Sequence, residues 1–397
     1  MNDPSTCAIS VEPATIAATV NGSWTVNRSA STTTADRRGE IDAKQAIIAG
    51  LLQEAHADAL FLFDPANLAW FSGSALCSGI ADASEWPAIF LTDNQRWLVG
   101  GSADTQRLFD LHLDRLGFQL KEWPWHWGRE RLLSDLVQNR KIACDRVLAE
   151  SIPFGPTLRR LRLALTPGER LRLADLGAAV AHALEATCRN LEPGESEEDV
   201  AGQIAHRLLK HGIAPAVIHV AADGRTRRHP RPGISTARIV HECAVFAVGQ
   251  RFGLHAGAAR SVHFGPLSEK RRAEFDAALA ISGGLASASR PGVTIVDALE
   301  FARRIAEVRA VELDWTRQPT GHVTGWLPVE RPITPTANFA LDVNWIVTWR
   351  PSVGGSLVAD SWVIGERRAA VTPPDGWPIR RVHVDAETFD LPDLLVR

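Results

Sequence analysis

The chain of 397 residues carries 45% hydrophobic and 22% charged side chains with a formal net charge of −3, the profile of an ordinary globular protein long enough for two domains. Acids and bases are interspersed, so neither a basic stripe for nucleic acid nor an acidic tail is present, and no apolar run approaches the roughly 18 residues of a membrane span. Cys7, Cys77, Cys144, Cys188 and Cys243 are widely spaced and form no CxxC pair, which disfavours a disulfide frame or a zinc knuckle and suits a reducing compartment. No basic-then-apolar signal opens the chain, and a cytoplasmic protein is expected.

Residues 1–37 are rich in Ser, Thr and Ala without helical or strand period, and are expected to form a disordered or loosely attached leader. From Glu40 onward Ile41, Ile47, Ile48, Leu51 and Leu52 predict a helix with one buried stripe. Ala59–Phe63 predicts a buried strand, Pro87–Leu91 and Trp97–Val99 a hairpin around Thr92-Asp-Asn-Gln, and Ile142–Val147 a further strand. Strands alternating with helices give a small α/β domain over residues 38–160. Within it, the Trp123-Pro-Trp-His-Trp127 cluster is expected to pack, since indoles carry large apolar area.

A second unit is expected over residues 161–375, followed by a tail at 376–397. Leu173, Leu176, Val180, Leu184 and Cys188 line one face of a long helix. Pro193-Gly194 stops it, and Ser196 with Asp199 resembles a capping box for the next helix. The same grammar returns with Ser268 as a cap, Pro291-Gly292 as a stop and Thr294 as a new start. Strand-like runs follow each helix pair: Val217–Val220 and Ala244–Val248 in the first half, Trp345–Trp349 and Leu357–Ile364 in the second. We read an internal duplication of a helix pair plus strands. The fold class is therefore α+β, a small α/β domain followed by a duplicated domain.

This layout resembles the pita-bread fold of the M24 peptidases, the family of creatinase, prolidase and aminopeptidase P. Asp64-Pro-Ala-Asn-Leu-Ala-Trp-Phe-Ser-Gly73 resembles the family's N-terminal phrase, and Leu191-Glu-Pro-Gly-Glu-Ser-Glu-Glu-Asp-Val200 its Pro-Gly-x-Ser/Thr-Glu helix start. Gly253-Leu-His-Ala-Gly-Ala-Ala-Arg-Ser-Val262 resembles its Gly-Tyr-x-x-Asp-x-Thr-Arg-Thr strand pair. Gly321-His-Val-Thr-Gly-Trp-Leu-Pro-Val-Glu-Arg-Pro332 resembles its Gly-His segment.

The resemblance implies a pair of divalent ions held by two Asp, one His and two Glu, with a bridging water as nucleophile. Carried over residue by residue, the Asp positions hold Phe246 and Gly257, the Glu positions Arg350 and Ala359, and only the histidine is kept, as His322. All the carboxylates are gone, and a guanidinium neither ligates nor tolerates a nearby dication. The expectation is therefore no metal and no other cofactor. An upstream substrate histidine is matched by His229, the acid of the Gly-His segment by Glu330, and the neighbour of the last Glu by Asp360. In creatinase, a metal-free relative, the resemblance implies that the counterpart of His229 transfers protons.

His229, His322 and Glu330 are thus the candidate catalytic residues, and Arg350, Arg260 and Asp360 the candidate substrate-binding residues. For Arg350 two readings stand: a clamp for a substrate carboxylate, or an internal ion pair with Asp360 or Glu330. His229, among arginines and prolines, is either a general acid/base or a solvent-facing loop residue. His255 and His263 are read as structural. The expected function is a metal-independent, creatinase- or aminopeptidase-like C–N hydrolase acting on a small amino-acid-like molecule. The alternatives are an inactive homologue that binds a small molecule or short peptide, and a metal-dependent Xaa-Pro aminopeptidase. The resemblance also suggests a homodimer in which one subunit's N-terminal domain closes the other's pocket, with neither nucleic acid nor membrane as a partner.

Overall fold

The computed structural model describes residues 9–13, 33–147, 150–313, 315 and 317–397. The chain divides into two compact units, the smaller comprising Arg28–Glu169 with Arg251–Leu254, the larger comprising Met1–Asn27, Arg170–Gln250 and His255–Arg397. The first described segment, β1 (Ile9–Pro13), belongs to the larger unit and is taken up with it.

In the smaller unit, α1 (Thr34–Glu54) begins at a capping box: Thr33 Oγ1 accepts from Asp36 N at 3.1 Å, and the Asp36 carboxylate accepts from Thr33 N at 3.0 Å. The helix buries Ile41, Ile48 and Leu52, whereas Ile47, expected in the stripe, is exposed. It leads into a six-stranded sheet of order β5-β4-β3-β2-β6-β7, made of β2 (Ala59–Leu62), β3 (Ala88–Leu91), β4 (Arg96–Gly101), β5 (Gln119–Trp123), β6 (Ile142–Cys144) and β7 (Ile152–Pro153). The expected hairpin is present as the antiparallel pair β3–β4, and β2 runs parallel to β6. Between these strands lie α2 (Pro65–Ser72), α3 (Thr105–Leu108) and α4 (Glu130–Val137), with α5 (Gly155–Leu163) after β7. Asp64 caps α2 and Gly73 closes it at φ +67°, a left-handed position that glycine adopts without strain. The tryptophan cluster departs from its expected role. Trp123 is buried on edge strand β5, but Trp125 and Trp127, on a single turn beyond it, are 69% and 67% exposed.

The larger unit holds the duplication. Its first half carries α6 (Pro167–Asn190), α7 (Glu197–Lys210) and strands β8 (Ala214–Ala222), β9 (Glu242–Arg251) and β10 (Leu254–His263). The second half carries α8 (Glu269–Ala288), α9 (Ile295–Val308), β11 (Gly321–Thr324), β12 (Arg331–Ile333), β13 (Ile346–Trp349), β14 (Ser352–Val353), β15 (Ser356–Leu357), β16 (Asp360–Val363) and β17 (Ala369–Ala370).

Backbone hydrogen bonds repeat between the halves. Gly194 N donates to Ile239 O at 2.7 Å and Gly292 N to Leu341 O at 2.8 Å. Glu197 N donates to Ala237 O and Ile295 N to Phe339 O, each at 3.0 Å. Ser196 and Thr294 cap the second helix of each pair through the backbone N–H three residues on. Both preceding glycines have positive φ, +98° at Gly194 and +85° at Gly292, which explains why Pro-Gly recurs at the two stops.

The first half pairs its strands in the order β20-β10-β9-β8, where β20 (Leu395–Val396) comes from the C-terminus; the second half pairs β12-β11-β13-β16-β17. The expected leader and tail are corrected by a third sheet. In it β1 pairs antiparallel with β18 (Ile379–Val384), which pairs with β19 (Glu387–Pro392). Val382, Val384, Phe389 and Leu391 of this sheet enter the core around α8 and α9. A five-residue strand whose partner lies at the other end of the chain shows no local period to read. Residues 1–8 and 14–32 of the expected leader lie outside the described residues.

Candidate functional site

Strand β9 is buried on both faces, which favours an unbroken apolar run over alternation. One face carries Ala244, Phe246 and Val248, and the neighbouring strands add Val217 and His219 from β8 and Gly257 and Ala259 from β10. Opposite stand the second-half strands, where His322, Thr348 and Ser361 are cross-strand partners on β11, β13 and β16. The two halves meet through Ala259 N, which donates to Ala359 O at 2.8 Å. Ser361 Oγ likewise donates to Gly257 O at 2.8 Å.

All five positions expected to have lost or kept metal ligands border this meeting place. Phe246 and Ala359 are packed with Val248, Ala259 and Leu357 in one buried apolar cluster. Gly257 lies where a Cβ would stand 2.9 Å from Val248 Cγ2, so its lack of a side chain permits the close approach of the strands. His322 lies on β11, and Arg350 follows β13 directly. At the positions where the resemblance implies carboxylates, the structure holds a hydrocarbon contact with a guanidinium at its edge. Among the described residues no group of three or more His, Cys, Asp or Glu is placed to hold a metal ion. The donor set of one imidazole and no carboxylate does not fit a pair of hard divalent ions.

Arg350 is only 8% exposed. Its Cζ stands 4.5 Å from the centroid of the Phe246 ring, within cation–π range. Nη2 donates to Pro230 O at 2.9 Å, and the backbone N–H donates to Thr320 O at 2.6 Å. Nε is buried without an acceptor. The internal ion pair with Asp360 or Glu330 is not formed. Burial, and then the charge of Arg231, push the Arg350 guanidinium down to about 10.

His219 faces Phe246 across β8 and β9, with ring centroids 6.0 Å apart and planes 22° apart. Its Nδ1 is buried without a partner. Burial, followed by the Arg350 and Arg231 charges, lowers both His219 and His322 to about 4. His219 and His322 each occupy the first strand after their helix pair, so the duplication supplies two equivalent imidazoles. His219 and exposed Arg231 were not singled out from sequence. The available signal was an imidazole within the apolar run Val217–Val220.

The other candidates have surroundings of their own. Arg260 is fully buried, donating from Nε to Glu185 Oε1 at 2.9 Å and from Nη1 to Asp360 Oδ1 at 3.1 Å and Ala259 O at 2.8 Å. Its Nη2 donates to Thr372 O at 3.2 Å. Arg260 is therefore fully engaged in the interior, which withdraws it as a substrate-binding residue, whereas Asp360 meets it through Oδ1 and keeps a buried Oδ2 without a partner. His229 is exposed on the short turn after β8, held through its backbone N–H to Arg225 O. Glu330 is buried, with its backbone N–H bonded to Val323 O at 2.8 Å. His255 Nδ1 lies 3.3 Å from Gly325 O and His263 Nε2 3.3 Å from Pro266 O, in keeping with structural roles.

A family model described as metallopeptidase family M24 matches residues 172–371, half of the chain. The chain belongs to metallopeptidase family M24. Similar solved structures include a prolidase from Pyrococcus furiosus, 17% identical with a TM-score of 0.70, covering 82% of this chain and 99% of that one. An X-Pro aminopeptidase from Thermotoga maritima is 16% identical with a TM-score of 0.72, covering 89% and 99%. The dipeptidase PepE from Mycobacterium ulcerans is 20% identical with a TM-score of 0.70, covering 90% and 98%. No curated protein matches the sequence. These likenesses establish the pita-bread fold for this M24 protein; at such identities they leave its reaction to its own residues. Among the described residues no helix is long and apolar enough to cross a membrane.

The two imidazoles of this M24 protein give a pH signature. Their folded values of about 4 lie below the ordinary 6.5, so between those values the unfolded chain binds more protons than the folded one. Stability therefore falls as pH drops through that window and flattens below it. Urea midpoints measured between pH 7 and pH 4.5 should fall less steeply in the double variant His219→Gln/His322→Gln than in the unmodified protein. Identical slopes would show that these imidazoles are not held neutral by their surroundings.

Proposed function

We propose that this M24 protein binds a small amino-acid-like molecule or short peptide without metal ions, and has left the two-metal peptidase chemistry of its family. The observation that carries this reading is the stack of Arg350 on Phe246. A cation occupies one expected ligand position and rests on a hydrocarbon ring that occupies another. Dications placed there would meet a fixed positive charge and no anionic oxygen. The ligand class is taken from the similar structures, described as prolidases, X-Pro aminopeptidases and dipeptidases.

Calorimetric titration with manganese, cobalt and zinc, paired with elemental analysis, tests the reading. Metal content well below one ion per chain is expected, with no cleavage of Xaa-Pro dipeptides before or after metal addition. A stoichiometric pair of ions, or hydrolysis that follows added manganese, would overturn it.

The metal-free C–N hydrolase is the second reading, and His322 favours it. This imidazole is held in its uncharged, basic form beside a guanidinium, whereas His229 is exposed. Recovery of a bound amide as its cleaved products, lost in His322→Ala, would decide for catalysis over binding.

A further inference from the structure

We propose that Arg350, His219 and His322 together form a carboxylate-binding site, so that an anion is held where the family's resemblance implies cations. This deepens the metal-free ligand-binding reading and rests on it.

The argument begins with an incomplete charge balance. A guanidinium removed from water carries a penalty of several kcal/mol unless an anion and full hydrogen bonding answer it. Arg260 shows the answered case in the same unit: two carboxylates and two backbone carbonyls accept from it. Arg350 has one neutral carbonyl at 2.9 Å, an aromatic face at 4.5 Å and an Nε–H with no acceptor. A cation–π contact offsets only part of that penalty. Asp360 meets Arg260 through Oδ1 and forms no ion pair with Arg350, and the groups that act electrostatically on Arg350, His219 and His322 are cations.

The second observation is independent of the first. His219 Nδ1 is buried and unpartnered, on a ring held against the same Phe246 that carries Arg350. In the Nδ1–H tautomer, neutral His219 donates a hydrogen bond without adding a charge to be neutralised. His322 adds an imidazole, and Arg231 adds positive field from the exposed side. One buried guanidinium with neutral imidazole donors matches a single negative charge on a planar group, which is a carboxylate rather than a phosphate dianion. A free amino acid and a peptide C-terminus both present that group.

The full-length chain should be titrated with acetate, with acetamide as the neutral shape control and inorganic phosphate as the competing anion. Saturable one-to-one acetate binding is expected, absent for acetamide. Arg350→Met should weaken acetate by about tenfold or more, the value of a charge-assisted hydrogen bond. His219→Phe should weaken it several-fold.

In anion-free buffer Arg350→Met should melt at a higher temperature than the parent, since it removes an unanswered charge, and acetate should raise the melting temperature of the parent only. If Arg350→Met does not fold, Arg350→Lys keeps the charge but loses the planar fork, and should also weaken acetate. Equal responses to acetate and acetamide, or acetate binding undiminished in a folded Arg350 variant, would overturn the proposal. Binding of phosphate alone would overturn the carboxylate assignment. Metal uptake would instead sink the metal-free reading, which the acetate titration does not address.

Discussion

Arg260→Leu should destabilise the larger unit by about 3–5 kcal/mol, the loss seen when one member of a buried charged group is removed. The side chain is wholly buried between Glu185 of α6 and Asp360 of β16. Glu185 also accepts from Asp375 N at 2.9 Å, and Asp360 from Thr372 Oγ1 at 3.0 Å. The guanidinium thus ties a helix of the first half to a strand of the second. Burial already raises both carboxyls above their ordinary values, with Arg260 as the chief opposing influence.

Without Arg260 those carboxyls become proton-binding groups in the folded state. A folded value above the unfolded one gives stability that is lost as pH rises, so the variant's deficit should be larger at pH 7 than at pH 5. Urea denaturation of both proteins at the two pH values measures this. A deficit under about 1 kcal/mol at pH 7 would mean that this cluster is not what joins the halves.

Gly321→Ala should cost about 1–3 kcal/mol and disturb the candidate site at the same time. A Cβ at this position would stand 2.6 Å from Thr348 O and 2.7 Å from Trp349 Cε3, and the first of these is backbone that cannot swing aside. Relief requires β11 to move off β13. That movement displaces His322, the next residue on β11, and loosens the bond from Arg350 N to Thr320 O. The glycine before His322 is therefore a packing requirement of the strand pair that positions both groups. Lowered thermal stability together with weakened acetate binding is the expected result. An alanine variant as stable as the parent would show that the pair has slack.

The helix pairs and their stops were legible because each start and stop is encoded within a few residues. Ser196 with Asp199, Thr294 with Asp297, and the two Pro-Gly steps depend on backbone geometry that local side chains impose. The hairpin β3–β4 was legible for the same reason. The strand β1 was not, because its five residues gain their order from β18 near the other end of the chain. The exposure of Trp125 and Trp127 was equally hidden, since composition says that indoles favour burial but not whether a neighbouring surface exists to bury them.

At the site, sequence order alone established which atoms are available: a phenyl ring, a bare glycine, a methyl group, an imidazole and a guanidinium where the resemblance implies five ligands. Only the tertiary structure decided which charges are satisfied. Arg260 and Arg350 are the same residue type, both buried in the same unit, the first on β10 and the second just after β13. The first meets Glu185 and Asp360, and the second meets Phe246 and a single carbonyl. Charge neutralisation acts through space over a few ångströms, and the partners that provide or withhold it lie far apart along the chain.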